Sequence, residues 1–133
     1  MVKDILDKDE ILSKYTYYDQ TLPCAPNLKR PDFTYVLVDR IVILEVDEHA
    51  HRYYNRECEI ARITALMEQA GGQPLLLLRF NPLQRCIGEM KHCLVEMMLQ
   101  TNLEKMLYVE FVGYNGLEYD VVKEMEALSC QRR

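Results

Sequence analysis

The chain has 133 residues, a length that suits one compact domain with a single core. Apolar residues make up 49% of it, which argues against disorder, and no apolar run is long enough to span a bilayer. A formal net charge of -5 argues against a strong sequence-independent nucleic-acid binder, because such proteins carry basic faces.

Residues from Lys3 to about Tyr15 predict a first helix, with Ile5, Leu6, Ile11 and Leu12 forming an incomplete apolar stripe. Two prolines in Thr21-Leu-Pro-Cys-Ala-Pro-Asn27 then break regular structure. Phe33 to Val38 is rich in β-formers, Asp39-Arg40 can turn, and Ile41 to Leu44 is β-branched and apolar, so the two runs predict a hairpin. A helix is expected from Asn55, as its cap, to about Ala70, ended by Gly71-Gly72. Pro74 to Phe80 has the near-continuous apolar run of a central strand covered on both faces. The unit from Ile41 to Phe80 therefore implies a parallel crossover.

A further helix, about Gln84 to Thr101, carries a stripe of Ile87, Met90, Leu94, Met97 and Met98 at helical spacing, which reads as core. Met106 to Val112 predicts the next strand, and Tyr114-Asn115-Gly116 a turn into Leu117 to Val122. The expected class is α/β: a mixed sheet of about five strands flanked by helices, in one domain spanning residues 1–133.

The hairpin has a chemical consequence. It brings Asp32, at the start of its first strand, beside Glu45 and Asp47 at the end of its second. Crowded acids need cations, and a divalent metal is a natural neutraliser. Asp32 and Glu45 are the expected ligands, with the Val46 carbonyl as a third oxygen and Asp47 able to hold a second ion. Mg²⁺ suits such hard oxygens, and Mn²⁺ can substitute. That is the composition of a phosphodiesterase site.

Four segments also occur in one order: Arg30-Pro-Asp-Phe33, Ile43-Leu-Glu-Val-Asp-Glu-His-Ala-His51, Tyr54-Asn-Arg-Glu-Cys-Glu59 with Arg62, and Leu78-Arg-Phe-Asn-Pro82. Together they resemble the PD-(D/E)xK, or restriction-endonuclease-like, superfamily. The resemblance is to its very-short-patch-repair-like branch and to related small proteins of large DNA viruses and microbial eukaryotes. It covers about Lys29 to Pro82 and implies a Mg²⁺-dependent DNA endonuclease of repair or restriction. By resemblance Asp32 and Glu45 match the two motif acids, His51 a histidine that assists catalysis, and Arg62 the arginine of the helix motif.

One position departs from the pattern. Where the superfamily commonly has a lysine, two residues after the acid, this chain has Asp47, which cannot stabilise negative charge as a cation. Arg62, or Arg79 on the neighbouring strand, is the candidate replacement. Without the motif, Arg62 and Glu59 read as a simple surface pair on one helix face. Glu10 on the first helix is a further candidate acid near the metals. Asp32 and Glu45 are expected outside the core, so that either can be removed with the fold intact.

The partners expected are DNA, at modest affinity, and a second copy of the chain, since duplex cleavage needs two sites. No membrane is expected. The charged start, Met1-Val-Lys-Asp-Ile-Leu-Asp7, is unlike a signal peptide, and five cysteines without a Cys-x-x-Cys pair suit reduced thiols, so an intracellular setting is expected: host cytoplasm, nucleus or virion. Two other functions fit the same residues. One is a nuclease-fold binding or assembly protein without catalysis, consistent with Asp47 and the acidic balance. The other is a zinc-binding structural module built from Cys24, Cys58, His49 and His51.

Overall fold

The structure, a computed structural model, describes residues 2–18, 32–46, 56–82 and 86–114. Two short helical pieces open it: α1, Val2–Lys8, and a 3-10 turn, Leu12–Lys14. The single helix expected over this stretch is interrupted because the Asp9 carboxylate competes for the backbone. Its Oδ1 accepts the N–H groups of Ile11 at 2.9 Å and Leu12 at 3.0 Å. The apolar residues still reach the core, with Leu6 and Leu12 both buried.

Four full strands follow: β2, Phe33–Val36; β3, Ile41–Val46; β4, Leu75–Phe80; and β5, Leu107–Val112. A two-residue segment, β1, Tyr17–Tyr18, lies antiparallel along the outer edge of β2, giving the order β1-β2-β3-β4-β5. β2 and β3 form the antiparallel hairpin, closed by Leu37 N–H donating to Arg40 O at 2.9 Å. β3, β4 and β5 are parallel, connected by α2, Arg56–Gln69, and α3, Ile87–Leu99. The expected α/β class and parallel crossover are what the chain forms. The expected strand Leu117 to Val122 lies outside the described residues.

Strand alternation divides the core into two layers. Val42, Leu44, Leu76, Leu78 and Phe80 face α1 and α3, where Met90, Leu94, Met97 and Met98 complete the packing. Ile43, Leu75, Leu77, Leu107 and Val109 face α2 through Ile63 and Leu66. β4 is buried at every position, as its unbroken apolar run requires. Gly71 and Gly72, at φ +63° and +91°, end α2 in the left-handed region that glycine tolerates.

One polar tie links the sheet to α3, and another lengthens the sheet itself. Arg40 is buried and donates from Nη1 to the Met97 carbonyl at 3.0 Å, satisfying an orphan carbonyl near the end of α3. Asn81, just past the end of β4, extends the ladder to β5: its N–H donates to Val112 O at 2.9 Å. Among the described residues no helix is long and apolar enough to cross a membrane.

Candidate functional site

β3 leaves the core on the α2 side through Glu45, which shares a face with Ile41 and Ile43. A carboxylate at this point cannot be solvated, since Glu45 is only 4% exposed. The expectation that it lies outside the core is therefore wrong. Its charge is met by two guanidinium groups. Arg62, from α2, contacts Oε2 through Nη2, and Arg79, from β4, donates from Nε to Oε1 at 3.4 Å. Both arginines are 1% exposed. The surface pair expected of Arg62 is corrected in the same way: α2 lays this side chain onto the sheet, where Glu45 is its counter-ion.

Register explains why these side chains meet. Glu45 is the parallel partner of Arg79, and Arg79 of Phe111, so the three stand in one row across β3, β4 and β5. The Phe111 ring centroid lies 5.9 Å from the Arg79 guanidinium carbon, a cation–π distance, and Tyr114 meets Phe111 edge-on at 5.2 Å. Continuing the β2–β3 register one step beyond Phe33 and Leu44 sets Asp32 opposite Glu45. Asp32 Oδ2 accepts the Val46 N–H at 2.7 Å, so the strand end is closed by a side chain rather than by another ladder bond. Among the described residues, Oδ1 of Asp32 has no hydrogen bond.

Charge within the cluster is tightly coupled. Burial, and then the neighbouring Arg79, push the Arg62 guanidinium down to about 10, while Asp32 acts in the opposite direction. Arg62 thus remains a cation at neutral pH and lies within electrostatic reach of Asp32 as well as Glu45.

The structure brings together Asp32, Glu45, Val46 and Arg62 from the expected site residues. Val46 is engaged through its N–H, the atom opposite in role to the carbonyl expected as a metal ligand. Asp47 and His51 lie outside the described residues, as do His49 and Cys24 of the zinc alternative. Glu10 is exposed in the turn after α1, and the adjacent Asp9 pairs with Lys91 of α3 at 3.2 Å. That pairing sets this segment beside α3, across the sheet from Arg62. Among the described residues no three His, Cys, Asp or Glu side chains gather as a metal-binding group. A cleft of about 240 Å³ between β2 and the end of α2, lined by Thr34, Ile43, Leu66 and Gln73 among others, sits toward the hairpin turn instead.

Sequence offers Arg79 only as a replacement for the missing lysine, alongside Arg62, and gives Phe111 and Tyr114 no part in the site. A signal for Arg79 existed: it is the one charge in Leu75-Leu-Leu-Leu-Arg-Phe80, and a buried charge requires a partner. No known protein family, curated protein or solved structure matches the chain.

Proposed function

We propose that the chain is a Mg²⁺-dependent endonuclease that hydrolyses DNA phosphodiester bonds, with a restriction-endonuclease-like fold, in repair or restriction. The observation that carries this reading is the pairing of Asp32 and Glu45 at adjoining strand ends with Arg62 and Arg79 beside Glu45. The arginines supply the positive charge that Asp47 cannot, in the part that a lysine takes in the resembling superfamily.

Among the described residues two carboxylates adjoin here, Asp32 and Glu45, so a third donor such as Asp47 would have to complete the set. Asp32 Oδ1 is open among the described residues, and Glu45 retains lone pairs beyond its guanidinium contacts, so both can serve as hard oxygen ligands. Asp32 and Glu45 would hold the ion, which when bound would supply a more acidic water and positive charge for the phosphate. Arg62 and Arg79 stabilise the charge that develops on the phosphorane. Asp47 as a further ligand and His51 as proton donor or acceptor complete the proposal from the sequence. Mn²⁺ is expected to substitute, and a homodimer would present two sites to a duplex.

One observation favours a second reading, a nuclease-fold binding or assembly protein. Both Glu45 oxygens already contact guanidinium groups, so its burial requires no metal. A cleavage assay with Mg²⁺ or Mn²⁺ on single-stranded, duplex, mismatched and branched DNA separates the two. Cutting by wild type and its loss to background in Asp32→Ala support the nuclease. Wild type that binds DNA yet cuts none of these substrates points to the binding protein. Metal analysis of purified protein addresses the zinc module, because zinc would be retained through sulfur and imidazole.

A further inference from the structure

The cleft between β2 and the end of α2 is lined by no residue of the acid–arginine cluster. It forms because α2 packs over β3, β4 and β5, which leaves the outboard strand β2 outside that layer. Ile41 and Ile43 make one wall and Leu66 and Ala70 the other, a slot of about 240 Å³. Two features give the slot a chemical character. The first is Thr34, 2% exposed, whose hydroxyl is buried without a hydrogen-bond partner among the described residues. Native proteins seldom leave a hydroxyl so, because its desolvation is then not offset. The second is charge. No ionisable side chain lines the cleft among the described residues, and it abuts the C-terminal end of α2, where the helix dipole is negative. Gln73 adds to that sign: its Nε2 already donates to the Val38 carbonyl at 2.8 Å, which leaves the amide oxygen as the group it offers. An anion is therefore disfavoured, and a hydrogen-bond donor is favoured.

We propose that this cleft binds a small uncharged aromatic molecule carrying one N–H or O–H donor, of the size of indole or phenol, with its ring between the isoleucines and Leu66 and its donor on Thr34 Oγ1. The volume agrees. An apolar cavity of about 150 Å³ takes up benzene, and drug-sized ligands occupy pockets of about 300 Å³ or more. The slot lies between these, which selects one ring or a fused pair. Thr34 needs no backbone movement to meet the ligand, since a turn about its Cα–Cβ bond exchanges methyl and hydroxyl at the inner wall. The apolar walls supply most of the affinity, and the hydroxyl supplies direction. The site stands whichever reading of the Glu45 cluster holds.

The test is a titration of the full chain with indole and with indene, its isostere without the N–H, followed through the methyl resonances of Ile41, Ile43 and Leu66. Indole is expected to shift all three saturably and to bind about three- to ten-fold more tightly than indene, the worth of one hydrogen bond. In Thr34→Val, which keeps the shape and removes the hydroxyl, that preference should vanish while indene binds as before. The same variant should melt no lower than wild type without ligand, because it removes a buried group that has no partner. Benzoate, a single ring with an anionic group, should leave the methyls unmoved. Indole and indene binding alike to wild type, or an indole preference that survives in Thr34→Val, overturns the proposal. So does the absence of any saturable shift with indole or phenol. Val38, 97% exposed in the turn tied to Gln73, provides the last control. Methyl shifts that appear on raising protein concentration alone and vanish in Val38→Asp would assign the cleft to a contact between copies of the chain and overturn it as well.

Discussion

Glu45 is the residue on which stability and chemistry meet. Two buried guanidinium groups share this carboxylate, so removing it takes a counter-ion from both in low dielectric. Glu45→Ala is expected to cost about 3–5 kcal/mol, the range for breaking a buried pair, read from the urea midpoint. A loss below about 1 kcal/mol would mean the cluster is better hydrated than its burial implies. Glu45 variants are therefore poor tests of activity, since lost cleavage and lost fold coincide. Asp32→Asn is the cleaner choice. The amide oxygen can still accept the Val46 N–H, so stability should stay within about 1 kcal/mol of wild type, while the proposed nuclease reading requires cleavage to fall to background. The Arg62 shift does not blur these measurements. Its folded pKa of about 10 lies below the ordinary guanidinium value, so the unfolded chain binds more protons only above about pH 10, and stability rises with pH only there. At this scale the acids were legible, because an apolar strand that ends in Glu45 announces a charge at the core's edge. Their counter-ions were not, because the partner of Glu45 depends on where α2 lies on the sheet, which no local pattern states.

Among the elements, the parallel strands and the methionine-rich helix were legible from periodicity, and the break after α1 was not. The stripe through Ile5, Leu6, Ile11 and Leu12 fits one helix, but Asp9 takes two backbone N–H groups and restarts the chain as a 3-10 turn. The Leu12 N–H, above all, holds the Asp9 carboxyl below its usual range, with Lys91 contributing in the same direction. A depressed folded pKa means this contribution is present above the ordinary value near 3.8 and is lost as pH falls through the folded value. Asp9→Ala should cost about 0.5–2 kcal/mol at neutral pH, as for other caps, and the gap to wild type should close in acid below about pH 4. A gap that persists unchanged to pH 2 would assign the loss to packing instead. The end of β5 makes a different demand. Gly113 has φ +87°, and a Cβ there would stand 2.7 Å from the Asn81 carbonyl oxygen, at the point where Asn81 still bonds β5. Gly113→Ala is expected to destabilise by about 1–3 kcal/mol, since neither backbone can yield without losing the ladder. An unchanged melting temperature would show that the two strand ends separate freely.

Taken as a whole, the molecule sets its polarity by topology. Three parallel strands point their C-terminal ends the same way, and the row Glu45, Arg79 and Phe111 stands near those ends, where open α/β sheets commonly place ligands. The hairpin adds Asp32 to that row from an antiparallel neighbour, which is how a mixed sheet gathers acids that lie apart in sequence. The opposite layer, built on α1 and α3, is plainly packing. With a net charge of -5, the chain as a whole does not attract a polyanion, so on the proposed nuclease reading attraction would have to come from the few cations the fold concentrates. If Arg62 and Arg79 provide the principal phosphate contacts, counterion release sets the salt dependence of duplex binding. Two contacts give a slope of log K against log salt of about -1.8, far shallower than for a basic DNA-binding protein, and Arg79→Gln should reduce it by about 0.9. Fluorescence anisotropy on a labelled duplex, in Ca²⁺ to prevent cutting, measures both slopes. A wild-type slope steeper than about -5 would require a basic surface elsewhere and would move the nucleic-acid contact away from this cluster. A slope near -2 that Arg79→Gln leaves unchanged would keep the number of contacts but assign them to other residues.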